Sequence, residues 1–191
     1  MRQFSRPSPI DRLSLEARVV YSVFCAFMLL GYGTGVWFWL DDDLGLGAEG
    51  TRTYYLGEAA PAPVEAPSGD GPALELPEDL APARPLRVEK PARVVIETFH
   101  FHLFSVSVCL MILAHLFMMC GVSRRLKMIV LIGGSLGTTL HLLVPVLVRF
   151  ASPSLAFLMF PSALVMGVSW LFMTLWPLWE MWRAPMPAAA P

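Results

Sequence analysis

The chain has 191 residues, 55% hydrophobic and 15% charged, with a formal net charge of −1 and a mean hydropathy of +0.58. A soluble domain carries nearer a quarter charged residues. The composition therefore excludes an ordinary water-soluble enzyme and places the chain among integral membrane proteins, with lipid as a partner and no nucleic acid expected.

A basic segment, residues 1–18, opens the chain with Arg2, Arg6, Arg12 and Arg18. The first predicted span, 19–40, is 22 residues without a formal charge, enough to cross a hydrocarbon core of about 30 Å at 1.5 Å per residue. Its apolar region is too long for a signal peptide, and no small-x-small cleavage site precedes Asp41; it reads as a retained signal anchor. The GYGTG run at 31–35 lies inside this span and reads as a close helix contact rather than a phosphate loop.

A long loop, 41–93, follows with eleven acids and five bases. Its first part, DDDLGLGAEGTRTYYLGE (41–58), has enough apolar and aromatic content to pack on the membrane surface. The second, APAPVEAPSGDGPALELPEDLAPARP (60–85), is rich in Pro, Ala and acid and lacks apolar periodicity. That composition predicts extended or disordered chain rather than a packed core.

Three further spans are predicted at 94–122, 126–150 and 154–182, followed by a tail, 183–191. Residues 98–122 hold no formal charge, and 128–148 are broken only by His141. The fourth is interrupted by Pro161 and Pro177, whose freed backbone groups neighbouring helices can satisfy. The expected fold is an all-α integral membrane protein: a four transmembrane helix bundle with one long extracytoplasmic loop, no second globular domain and no internal repeat.

Charge gives the topology. Eight bases against three acids fall on the side of the N-terminal segment, the 124–127 turn and Arg183. The positive-inside rule puts both termini in the cytoplasm and loop 41–93 in the periplasm. Trp37, Trp39, Trp176, Trp179 and Trp182 suit interfacial anchoring. Cys25, Cys109 and Cys120 lie in apolar runs without CxxC or CxxCH, so they read as small hydrophobes rather than metal or c-type haem ligands.

The chemistry concentrates in ETFHFHLFSVSVCLMILAHLF (97–117), which holds Glu97 and three of the four histidines. Ionisable groups are costly in hydrocarbon. At 100° per residue Glu97 and His115 are almost in line, His100 lies about 60° to one side, and His102 faces elsewhere. In the third span Gly134, Thr138, His141 and Pro145 share a stripe beside Gly137. Gly133-x-x-x-Gly137 has the small-residue spacing of close helix pairs. These glycines admit either a neighbouring helix or a flat cofactor. The short turn between the second and third spans brings His141 within about three residues of rise of His102, roughly 5 Å, with His115 standing apart.

Three readings follow. His102 or His100 with His141 makes a bis-imidazole pair for one haem b, with Gly134 and Gly137 giving room for the porphyrin. Glu97, His100, His102 and His141 alternatively supply ligands for copper, iron or zinc. In the third, the histidines bind no cofactor and only hydrogen-bond across helices; Glu97 then caps its helix or pairs with Arg93 or Arg149. His115 is unassigned in all three.

YYLGE, then THFHLF-like TFHFHLF with a later HLF, a basic SRRLK turn and PLWEMW together resemble a family of small four-helix inner-membrane proteins of Gram-negative bacteria with a THFHLF…HLF-type second helix. The resemblance covers nearly the whole chain except 60–85. It implies architecture rather than chemistry, and it matches His100, His102 and His115; His141 is outside the pattern. The expected function is an accessory subunit of a membrane electron-transfer or respiratory assembly, not catalytic on its own, whose histidines hold a haem b or a metal or line the route of a quinone. The alternative is a structural membrane protein, without cofactor, that recruits partners through its periplasmic loop.

Overall fold

The computed structural model describes residues 10–41, 47–58 and 86–183; the extended-chain expectation for 60–85 lies outside them. The described residues form five α-helices, α1 (Leu15–Asp41), α2 (Ala48–Leu56), α3 (Ala92–Met118), α4 (Arg124–Phe150) and α5 (Met159–Arg183), with short 3-10 turns at Ile10–Arg12, before α1, and Pro153–Leu158, between α4 and α5. No strand occurs among the described residues. Among the described residues four helical segments are long and apolar enough to cross a membrane: α1, α3, α4, and α5 with the 3-10 turn before it. The protein is an all-α integral membrane bundle.

Local sequence sets the ends of these helices. Ser123 caps α4, its hydroxyl accepting from Leu126 N at 3.4 Å. Ser152 caps the second 3-10 turn in the same way, accepting from Ser154 N at 3.3 Å. Pro153 follows at its first position, where a missing N–H leaves nothing unsatisfied. Pro161 falls in the first turn of α5 for the same reason, while Pro145 and Pro177 lie within α4 and α5.

Helix α5 is the centre, with α1, α3 and α4 all packing on it. The largest buried cluster gathers Leu113 and Phe117 of α3 with Trp170, Met173 and Met181 of α5. Partly buried Tyr21, Phe24 and Met28 of α1 complete it. The other side of α1 is bare: Val20, Phe27 and Leu30 are 64%, 69% and 63% exposed, a surface suited to lipid tails.

The 119–123 turn, the Ile10 turn and the end of α5 meet at one end of the bundle. Ile10 N donates to Met119 O at 3.3 Å. Glu180 accepts from Gly121 N at 2.6 Å and from Trp176 Nε1 at 3.0 Å. At the opposite end α2 sits over the 3-10 turn Pro153–Leu158 and α4. Arg52 Nε donates to Pro153 O at 3.0 Å, Lys90 N to Tyr55 O at 3.2 Å, and Glu58 N to Arg87 O at 2.9 Å. The turn after α2 needs Gly57, whose φ is +80° and whose added Cβ would stand 2.6 Å from Glu89 N. The sequence suggested packing of 41–58 on the membrane surface; in the bundle α2 packs on protein, with Tyr55 and Leu56 covering Val144, Val148 and Ala156.

Candidate functional site

The histidines divide into two groups. His100, His102 and His115 on α3 are exposed, as are Thr98, Ser105 and Ser107 on the same helix. The two serine hydroxyls are satisfied within the helix, donating to Phe101 O and Phe104 O at 2.9 Å. The His100 ring meets Phe104 edge-on, with centroids 5.2 Å apart. His102 Nδ1 is 2.7 Å from Thr98 O. A carbonyl only accepts, so Nδ1 carries the proton and the Nε2 lone pair is left unused.

His141 faces the other way. It is half-buried, with Nδ1 3.4 Å from Ser162 Oγ on α5, and that hydroxyl itself donates to Met159 O at 2.9 Å. Glu97 is engaged by Arg93 Nε at 2.6 Å, and Arg149 is paired with Glu89. Among the described residues no group of three or more His, Cys, Asp or Glu side chains stands together as a metal site. Of the expected ligands Glu97, His100, His102 and His141, Glu97 is paired with Arg93 and His141 with Ser162, each away from the others.

The glycines expected beside His141 line a helix contact. A Cβ on Gly137 would lie 2.8 Å from Met166 N, and one on Gly134 would lie 3.2 Å from Ser169 Cβ and 3.1 Å from Met173 Cε. The space is filled by α5. The same seam buries a polar chain: Trp170 Nε1 donates to Thr138 Oγ1 at 2.8 Å, and Thr174 Oγ1 donates to Trp170 O at 2.8 Å. Tyr32 of α1 reaches Thr174 Oγ1 at 3.3 Å.

GYGTG behaves oppositely and corrects the close-contact expectation. A Cβ on Gly31, Gly33 or Gly35 would meet nothing within 4 Å. Gly31 and Gly35 instead line a cavity of about 680 Å³ that His141 also borders. Sequence reasoning missed Ser162, the hydrogen-bond partner of His141, and the tyrosines of α2 that border the same cavity. The only signal for the tyrosines was YY in a stretch otherwise rich in Gly and acid.

Outside the membrane-spanning helices two groups titrate abnormally. Burial pushes the Cys120 thiol up to about 12, with the Glu180 carboxylate adding to the effect. Burial also raises the Tyr55 phenol, helped by Tyr54.

Residues 45–188 match a family described as a transmembrane helical domain. The chain belongs to that family. Relative to this transmembrane helical domain, α1 lies outside the matched region, whereas α2 through α5, with all four histidines, lie inside it. No curated protein and no solved structure matches the chain. Family and helices together identify a multi-pass membrane protein in contact with lipid.

Proposed function

We propose that the protein is an accessory, non-catalytic subunit of a membrane electron-transfer assembly, and that His102 supplies an axial ligand to one haem b on the outer face of α3. One observation carries this reading: three histidines on a membrane span are left exposed by their own bundle. Ionisable side chains in a span normally face a protein interior or a water-filled cavity. A neighbouring subunit, or a cofactor shared with it, gives this face the partner that lipid cannot.

His102 has the orientation the role needs. A ligating imidazole donates its other N–H to a carbonyl or carboxylate, which fixes the tautomer and raises ligand basicity. The Thr98 carbonyl does this for His102 Nδ1. The second axial position falls to a residue of the neighbouring subunit, since His141 is turned to Ser162 on α5. Two imidazoles suit haem iron; a copper or zinc site needs a further ligand that this chain does not gather among its described residues. The positive-inside charge balance and the sequence resemblance support a bacterial inner membrane with both termini cytoplasmic and 41–93 periplasmic.

The test is a reduced-minus-oxidised spectrum of the full chain, purified in mild detergent from its native membrane and run beside a native gel. The expected result is a sharp alpha and Soret pair co-migrating with a complex larger than the monomer, with the bands lost in His102→Ala. A flat spectrum from haem-replete cells would overturn the haem assignment, and migration as a monomer would overturn the accessory role.

A further inference from the structure

The cavity of about 680 Å³ lies between the C-terminal half of α1, helix α2 and the first half of α5, with His141 of α4 on its wall. Its volume falls within the range of small-molecule sites, roughly 300–1,000 Å³. Three glycines make the space: Gly31 and Gly35 on α1 and Gly167 on α5, where an added Cβ would meet nothing within 4 Å. Most of the remaining wall is apolar, including Phe160, Leu164 and Leu171.

The polar groups collect toward α2. Thr51, Tyr54 and Tyr55 come from α2 itself, and the His141 imidazole comes from the side. Helix α2 is fixed in this place by Arg52 to Pro153, by Lys90 N to Tyr55 O, and by Lys90 Nζ, 3.4 Å from the Tyr54 ring centroid. The roof is therefore part of the folded structure. The side wall differs: Val36 and Phe38 of α1 and Leu164 and Val168 of α5 are each more than half exposed, at 54%, 68%, 54% and 61%. A ligand would enter through this apolar flank, from the bilayer.

No Asp, Glu, Lys or Arg lines the cavity among the described residues. A phosphate or carboxylate head would meet no charged side chain on the wall, Lys90 being held on the Tyr54 ring rather than in the lining, which is unfavourable for a charge in a low-dielectric setting. Hydroxyls and an imidazole instead match neutral oxygens that accept or donate single hydrogen bonds. The apolar remainder, open sideways, matches a hydrocarbon tail.

We propose that this cavity binds a neutral, single-tailed membrane lipid with a carbonyl- or hydroxyl-bearing head, of the quinone class. The head lies under α2 against His141 and the tyrosines, and the tail runs along Gly31, Gly35 and Gly167. This site is separate from the outer face of α3 and does not rest on the haem assignment.

The experiment uses the full chain in phosphatidylcholine nanodiscs, titrated with decylubiquinone and followed by native mass spectrometry. The expected result is a saturable one-to-one adduct. Gly35→Leu and Gly167→Leu, which fill the cavity from opposite walls, each lower the affinity at least tenfold. Gly33→Leu, on the same helix but off the lining, leaves it unchanged. Decyl phosphate, with the same tail and an anionic head, and decane, with no head, bind at least tenfold more weakly. Unsaturable uptake, equal binding by wild type and both filling variants, or displacement by equimolar decyl phosphate would overturn the proposal. Because two variants from opposite helices are used, misfolding of one leaves the other to decide, and a loss of haem bands leaves the result untouched.

Discussion

Two glycine-bearing seams meet α5, and they do opposite things. Along α4, Gly134 and Gly137 are pressed against Ser169, Met173, Val165 and Met166, so that a single methyl would crowd side chains at Gly134 and collide with backbone at Gly137. Along α1, Gly31, Gly33 and Gly35 face open space. The residue is the same and the helical environment is the same. What differs is the partner: α4 lies against α5 along most of its length, whereas α1 joins it around Tyr21, Phe24 and Met28 and leaves a gap beyond. Glycine in a membrane helix permits close approach, and it equally permits a void.

The sharpest way to break this comparison is to add one methyl to each seam. Gly137→Ala places a Cβ 2.8 Å from Met166 N, and overpacking of this kind costs about 2–3 kcal/mol. Thermal unfolding in detergent should show a markedly lower midpoint, and an unchanged midpoint would mean that the seam is looser than described. Gly57→Ala is expected to cost about 2 kcal/mol, since it combines positive φ with a backbone collision. Limited proteolysis would read this as faster cleavage around α2, with the spanning helices intact.

Thr138→Val keeps the shape of the filled seam but leaves the Trp170 N–H without its acceptor, at about 1 kcal/mol. Gly35→Ala should do the reverse of Gly137→Ala and stabilise by about 0.5–1 kcal/mol, because only the helix-propensity term remains. Equal signs for the two alanine variants would erase the distinction between seams.

The smallest effect concerns the far end of the filled seam, where Cys120 lies beside Glu180. Its thiol is raised from an ordinary value near 9 to about 12. A raised folded-state pKa favours the protonated form, so this contribution to stability is complete below about pH 9 and is lost as pH rises toward 12. Stability measured across that window should fall in wild type and fall less in Cys120→Ala. Alkylation of Cys120 at pH 8 should be slow, because little thiolate is present.

These seams also mark how far the sequence reaches. Four apolar runs were legible because span length and freedom from charge are properties of single segments. Gly133-x-x-x-Gly137 correctly signalled a close helix pair, but the stripe shared by Gly134 and His141 could not say whether α5 or a porphyrin filled it. The answer depends on Met166 and Ser169, more than 25 positions away. GYGTG was misread for the same reason, since nothing within five residues reports how α1 leans on α5. Depth matching, from the shortness of one turn, set His102 level with His141 but could not say which way either ring turns. That His102 faces outward while His141 turns toward Ser162 follows from the packing of three helices, which no single periodicity contains.

The anchoring of α2 has a consequence for how the protein is made. Arg52 is held by Pro153, a carbonyl 101 positions later in the chain, and α2 rests on the 3-10 turn that begins there. During synthesis α2 emerges before any surface exists to receive it. It can be seated only after the last hairpin has been made and inserted, so a docked α2 serves as a signature of finished biogenesis. A nascent chain stalled before Pro153 should leave α2 open to protease, and one released in full should protect it.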